Sequence, residues 1–509
     1  MVTSLTITPI LCTALGAAGG FYLFGRLPLV WLLWIGFILF ITLCFFRSLA
    51  AILAALPTAM QMSPSLPVIK AVRKLQLTAV CSTVLAVGFF LGIAAAGTGR
   101  NDVRFGIHHD QITALEGVLL EDPRIISGSI AMASLSLTNC AGQQQGLRVS
   151  SSGVVTVFFP EEGSLLLREF GRGTTVFTEG RLRLTDRGWT FSAQSIHIVK
   201  TAPNYERIRT GIRLNLISRF ERERGFRDTA WGALSLALLL GIRDNLDSNL
   251  TTMYRSAGLS YILALSGMHL AIIASLIAFL LKKPLGLKAA AVTGAVIIIL
   301  YCLIVGPMPS LNRAAIMYIL GVAAILGALP KNSLFILALS FLIQIIVSPA
   351  SGNSVSFILS YLAMVGILIV GKALSSLFAG KIPGFLLQPL AISCGAFIAT
   401  AGVTCYYFGY LAPAGIIAGL LVIPATTIFM IGSILWLVLD FVSLSAILNL
   451  PLSLIYMAKE GIVSITAMAP GISSPPPFLV IILSVVLSLV IVFFEHRRQQ
   501  SLLRLEPLL

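Results

Sequence analysis

Arg255-Ser-Ala-Gly-Leu-Ser-Tyr-Ile-Leu-Ala-Leu-Ser-Gly-Met-His269 runs on into the apolar stretch Leu270–Leu281. The run 258–281 reads as one helix long enough to cross a bilayer, with Ser266, Gly267 and His269 near its middle. A histidine at that depth needs a polar partner or a wet cavity, because hydrocarbon offers neither. The stretch therefore predicts a lined path through a helical membrane protein.

The rest of the chain agrees. Its 509 residues are 57% hydrophobic and only 11% charged, against roughly 25% charged in soluble domains. The expected fold is a polytopic α-helical membrane protein of about twelve spans, some re-entrant or interfacial, with one small extracytoplasmic β domain. Net charge is +15. Asp and Glu are missing from Met1–Asn101 and from Ser248–Leu439. The second gap holds eight cations: Arg255, Lys282, Lys283, Lys288, Arg313, Lys331, Lys372 and Lys381. Cation-coupled carriers place carboxylates inside the membrane. A core without them points to a permeant anion.

Residues 1–97 read as a three-helix membrane segment, with Arg47, Lys70, Arg73 and Lys74 holding a loop in the cytoplasm. No Lys or Arg precedes the first apolar run, so a retained helix is expected in place of a signal peptide. Residues 98–203 alternate in β fashion over Ile112–Leu120, Gly153–Phe159, Thr174–Leu184 and Trp189–Val199, which suggests about five short strands. Net charge is −3 over 98–163 and +7 over 164–227. Arg168, Arg172, Arg181, Arg183 and Arg187 lie among Phe170, Phe177, Trp189 and Phe191. Arginines with aromatics suit single-stranded nucleic acid, and a solvated β face over an aromatic core gives the same pattern.

Residues 204–227 predict an amphipathic interfacial helix, with Tyr205, Ile208, Ile212, Leu216 and Phe220 on one face and arginines around it. Ala230–Ile242 is too short to span, and is expected to be interfacial or re-entrant. Spans then recur through a channel core at 228–440 and C-terminal helices at 441–509. Lys282, Lys283, Lys288, Lys331, Lys372, Lys381 and Arg497-Arg498 all fall on the cytoplasmic side. That topology leaves Arg255 and Arg313 as the core's outer cations, each at a helix start, where an arginine ring would attract phosphate.

No GxxxxGK[ST] occurs, and none of the five histidines falls in an HExxH or HxH cluster. No cofactor, metal or catalytic group is expected. Ser266 and His269 share a helix face, but no acid near them in sequence orients the histidine. Six of the seven cysteines lie in apolar segments. Cys140, the seventh, has no disulfide partner in its region.

Taken together, Leu239-Leu-Gly241 with Arg243, Arg255, Gly258-Leu-Ser260 and Leu265-Ser-Gly-Met-His269 resemble the signature of the ComEC family of DNA-internalisation channels. Pro309-Ser-Leu-Asn-Arg-Ala-Ala-Ile-Met317, Ser356-Phe-Ile-Leu-Ser360, and Tyr407-Phe-Gly409 followed by Pro424 resemble its later segments in the same order. The likeness runs over about residues 230–430. It implies an OB-like outer domain and a channel in the bacterial inner membrane that passes one DNA strand into the cytoplasm. The path residues would be Arg255, Ser266, Gly267, His269, Asn312, Arg313, Ser356 and Ser360. The outer-domain DNA contacts would be Arg168, Arg172, Arg181, Arg183, Arg187 and Trp189. Implied partners are single-stranded DNA, membrane lipid, an outer DNA receptor and a separate cytoplasmic ATPase; a homo-oligomer is compatible. Many members carry a C-terminal nuclease domain whose histidine–aspartate cluster is missing here, so strand degradation would fall to another protein. Asn312 replaces a small or apolar residue, and Asn353 stands in a gap that often holds an acid. A transporter of a small or lipid-linked anion and a non-transporting assembly factor remain alternatives.

Overall fold

The computed structural model describes residues 2–23, 85, 87–96, 103–127, 130–142, 148–160, 171–185, 188–222, 231–244, 246–328 and 332–505. The expected span 28–46, the cations Arg47, Lys70, Arg73, Lys74 and Lys331, and Arg168 and Arg187 lie outside these residues.

Helix α1 (Val2–Leu23) and helix α2 (Val87–Ala96) meet through small residues on both sides. A Cβ at Gly16 would lie 2.0 Å from the Leu85 carbonyl oxygen, and one at Gly20 would lie 1.9 Å from that of Phe89. Gly88 and Gly92 return the arrangement against Thr13 and Ala17. Each helix thus carries glycines four apart, which lets the backbones touch.

The β domain holds β1 (Ile112–Leu119), β2 (Arg124–Ser127), β3 (Ile130–Gly142), β4 (Arg148–Ser150), β5 (Val154–Phe159), β6 (Thr175–Thr185) and β7 (Gly188–Lys200). Neighbours run β1-β6-β7-β5-β3, and β3 pairs again with β1, so five strands close on themselves. The β5–β7 pair is parallel and the other pairs are antiparallel. The longest sequence-silent strand is β3. Its inward residues Ala131, Ala133, Leu135 and Leu137 alternate with Met132, Ser134, Ser136 and Thr138, so inward alanines beside an outward methionine hid a regular period of two.

Helix α3 (Asn204–Arg222) behaves differently from its helical wheel. Tyr205, Ile208 and Ile212 are exposed, as an interfacial face requires. Arg207 is exposed, but Arg209, Arg213 and Arg219 turn inward to partners. Arg209 is buried and pairs with Asp122, from the β1–β2 turn, and with Glu206 at 2.7 Å. Arg213 lies 3.5 Å from Asp122 and donates to the Val305 carbonyl at 2.6 Å. Burial pulls the Arg213 guanidinium below its usual pKa, and Asp122 offsets part of that shift. Arg219 pairs with Asp440. The helix therefore clamps the β domain to the helical core.

Helix α4 (Trp231–Leu240) is buried at nine of its ten residues. That leaves no face for a membrane interface and corrects the interfacial reading. It packs where the Phe220, Trp231 and Trp436 rings meet at 4.8–6.3 Å between centroids.

After α5 (Ser248–Ser256) and the single turn α6 (Ser260–Leu263) come seven helices long and apolar enough to cross a membrane among the described residues. They are α7 (Gly267–Val305), α8 (Pro309–Leu326), α10 (Val355–Leu377), α11 (Gly384–Phe408), α12 (Ala414–Asp440), α13 (Ala446–Ala467) and α14 (Pro477–Leu505), with the shorter α9 (Ser333–Val347) between α8 and α10. Gly286 breaks α7 at φ 76°, ψ 169°. A Cβ at Gly294 would lie 3.5 Å from Ile277 Cγ2. In a straight helix seventeen residues rise about 25 Å, so the two halves fold back as a hairpin with Lys282, Lys283 and Lys288 at its bend.

The main apolar core joins α4, α5, α6, α12, α13 and the first turns of α7. A second core joins α1 to α9 and α10 through Phe21, Leu337, Phe341, Ile345, Phe357 and Tyr361.

Candidate functional site

The quoted stretch does not form one helix. Asp247 caps α5 by accepting from the Asn249 N–H at 2.9 Å. Gly258 then takes φ 72°, and a Cβ there would sit 2.6 Å from the Ala412 carbonyl oxygen. One turn of α6 follows, and Ala264 and Ser266 are extended. The spanning helix begins only at Gly267. The expected span 258–281 is therefore corrected to start at 267, and Ser266 and His269 lie at its N-terminus.

Their contacts explain the break. The Ser266 hydroxyl accepts from the Met268 N–H at 3.3 Å, and His269 Nδ1 accepts from the Ser266 N–H at 3.0 Å. This is a capping box in which histidine takes the place of Glu or Gln. With Nδ1 accepting, the proton is assigned to Nε2, which is buried. The Ser266–His269 pair is thus employed in helix capping, and no acid among the described residues contacts it. His269 itself is 0% exposed.

Arg313 of α8 lies against this helix start. A Cβ at Gly267 would be 2.7 Å from its Nη2, so a larger residue there would push the guanidinium aside. Nη1 donates to the Ser360 carbonyl at 2.8 Å, and the guanidinium carbon sits 5.7 Å from the Tyr361 ring centre. No carboxylate pairs with it among the described residues. A polar belt continues from there. The Tyr361 hydroxyl donates to Gln344 Oε1 at 3.1 Å, and Gln344 Nε2 donates to the Pro309 carbonyl at 3.0 Å. Ser310 Oγ donates to the Leu265 carbonyl at 2.8 Å. The belt thus closes around the α6–α7 and α7–α8 breaks.

The other sequence-picked residues scatter. Arg255 is exposed and donates to the Phe408 carbonyl at 3.2 Å, whereas Arg313 is 5% exposed. The two do not form one solvent-open ring. Asn312 is half-buried, and Ser356 is exposed. Ser360 contributes its carbonyl to Arg313. Tyr361, Gln344 and Ser310 were missed. Gln344, a lone amide in an otherwise apolar helix, was the readable signal.

A second missed cluster lies in α13. Lys459 is fully buried among the rings of Tyr254, Phe429 and Tyr456, at 5.3–6.0 Å. Its Nζ is 3.5 Å from Glu460 Oε1, which also accepts from the Tyr254 hydroxyl at 3.0 Å.

In the β domain, pleating separates the residues grouped by sequence. Arg181 and Arg183 are exposed and pair with Ser192 and Thr190. Trp189 and Phe191 pair with Leu184 and Leu182 on the opposite, inward face. Trp189 therefore offers no stacking surface beside those arginines. On the arginine face, Phe177 carries Arg148 at 5.3 Å. Arg172 is drawn into the junction, its N–H on Asp122 at 3.0 Å and its side chain 3.6 Å from Glu206.

The competence protein family model matches residues 238–499, just over half of the chain. An uncharacterized protein of Aquifex aeolicus (strain VF5) is 27% identical over 252 residues, covering 49% of this chain and 56% of that protein. The aligned region thus spans little more than half the length of that relative. No solved structure matches.

Proposed function

The chain belongs to the competence protein family, and on that premise we propose that it passes one strand of DNA across the cytoplasmic membrane during natural transformation. The observation that carries this reading is Arg313. It lies beside the N-terminus of α7, where the helix dipole is already positive, and no acid among the described residues pairs with it. An arginine and a helix N-terminus together favour phosphate. Because Arg313 is enclosed, passage requires α7 and α8 to part at Gly267.

The seven apolar helices, with α7 doubling back, make a multi-pass membrane protein. A count near twelve adds both halves of α7, the helices before residue 97 and α9. The closed path of five strands with one parallel pair supports an OB-like outer domain. Arg181 and Arg183 would track the strand there. The expected partners are an outer DNA receptor, a cytoplasmic ATPase and a separate nuclease, and the chain acts as a channel and not as an enzyme. For sidedness, Cys140 is buried and cannot serve as a thiol probe, whereas a cysteine at exposed Ser152 can. Labelling by an impermeant reagent in whole cells is expected.

A deletion strain should hold labelled DNA at its surface and bring none into the cytosol. Wild-type chain should restore uptake. Arg313→Gln, present in the membrane at wild-type level, should not. Uptake at the wild-type rate by Arg313→Gln would overturn the phosphate role.

A further inference from the structure

The β domain begins with a turn that the transport reading does not use. His108, His109 and Asp110 are consecutive and exposed, yet their side chains converge. His108 Nδ1 lies 3.3 Å from one Asp110 carboxylate oxygen, and His109 Nε2 lies 3.4 Å from the other. All the donor atoms lie within 4.8 Å of one another. Zinc–nitrogen and zinc–oxygen bonds are about 2.0–2.2 Å, so donors at tetrahedral corners are about 3.3 Å apart. The two imidazole–carboxylate spacings match that separation.

The rings are also held in place. His109 opens a short 3-10 turn closed by the Gln111 N–H on the His108 carbonyl at 3.0 Å. Its ring centre lies 5.3 Å from Trp189 and 4.3 Å from His108. Trp189 in turn meets Phe105 edge-on at 5.2 Å. A solvated polar turn has no need of such support.

We propose that His108, His109 and Asp110 form a binding site for a divalent transition-metal ion on the β domain. Two imidazoles and one carboxylate suit Zn²⁺, Cu²⁺ or Ni²⁺ better than Mg²⁺ or Ca²⁺, which take oxygen ligands. Three protein ligands leave an open position on the ion, and the exposure of all three residues turns it to solvent, where an anionic oxygen can bind. The proposal does not rest on the DNA reading.

The test is calorimetric titration of the purified full chain, free of affinity histidines, with ZnCl₂ in detergent. One ion per chain should bind with micromolar affinity. The His108→Ala/His109→Ala variant should lose that binding, the isosteric Asp110→Asn should weaken it, and His197→Ala should leave it unchanged. CuCl₂ should quench emission that disappears in Trp189→Phe, and should fail to do so in the double histidine variant. No zinc binding by the wild-type chain, equal binding by the double variant, or loss on His197→Ala alone would each overturn the site. Equally tight binding of MgCl₂ would overturn the metal class.

Discussion

The junction beneath the β domain and the cleft at the start of α7 both bury arginines, and they compensate them in opposite ways. At the junction Arg172, Arg209 and Arg213 meet Asp122 and Glu206, so two carboxylates offset most of the three positive charges on the spot. In the cleft Arg313 meets, among the described residues, a carbonyl and a ring but no carboxylate. Removing a charge from water costs several kcal/mol, and a matched carboxylate returns much of it. The junction is built to stay shut. The cleft keeps an unbalanced positive charge at a helix start, an arrangement suited to a phosphate. Lys459 and Glu460 fall between the two: they are paired, but at 3.5 Å.

Substitution can break this contrast. The largest effect is expected from Asp122→Ala, which takes one of the two carboxylates from Arg209 and the paired carboxylate from Arg213. It should cost about 3–5 kcal/mol, seen as a lower denaturation midpoint, because breaking a buried pair leaves charge uncompensated. No change in midpoint would show that the junction is not the clamp. Lys459→Met alone should cost about 3 kcal/mol by isolating Glu460, while Lys459→Met with Glu460→Gln should be near neutral. A double variant as unstable as the single would mean that packing, and not charge, dominates there. Next comes Ser266→Ala, which removes half of the capping box for about 1 kcal/mol. Its melting should shift by that amount with His269 intact, and a shift several times larger would point to a role beyond capping. The smallest stability effect belongs to Arg181→Gln with Arg183→Gln, within about 0.5 kcal/mol for exposed positions. The same pair should lower the log–log salt slope of single-strand binding by about 1.4, from about 0.7 per lost phosphate contact. An unchanged slope would remove these arginines from the DNA face.

Much of the helical architecture was legible, because hydropathy over twenty residues is a strong signal. The break before Gly267 was not. Leu259–Leu265 is apolar and free of proline, so nothing in its composition separates extended chain from helix. The S-x-x-H spacing at 266–269 did carry the capping signal, with histidine in the glutamate position. The β domain shows a different limit. Arg183 and Trp189 are both odd-numbered, yet the hairpin register sends them to opposite faces. Register depends on the turn, which sequence proximity does not reveal. The partners of Arg313 and Glu460 lie 47 and 206 residues away, so no local pattern could supply them. Lys459 and Glu460 themselves were visible as charges in a span. Adjacent helical positions do not face each other, so their shared burial depended on Tyr254 of α5.

The glycine-lined contact between α1 and α2 bears on how the protein is made. The Tyr22 hydroxyl of α1 donates to the Gly352 carbonyl, 330 residues further along the chain. At roughly 5–20 residues per second, a ribosome needs roughly 20–70 seconds to deliver that partner. Until then α1 sits in lipid without α9 or α10. Its pairing with α2 is available early, since two helices with small residues on matching faces can associate without the rest of the bundle. The α1–α2 pair can thus form early in biogenesis and later join the finished core.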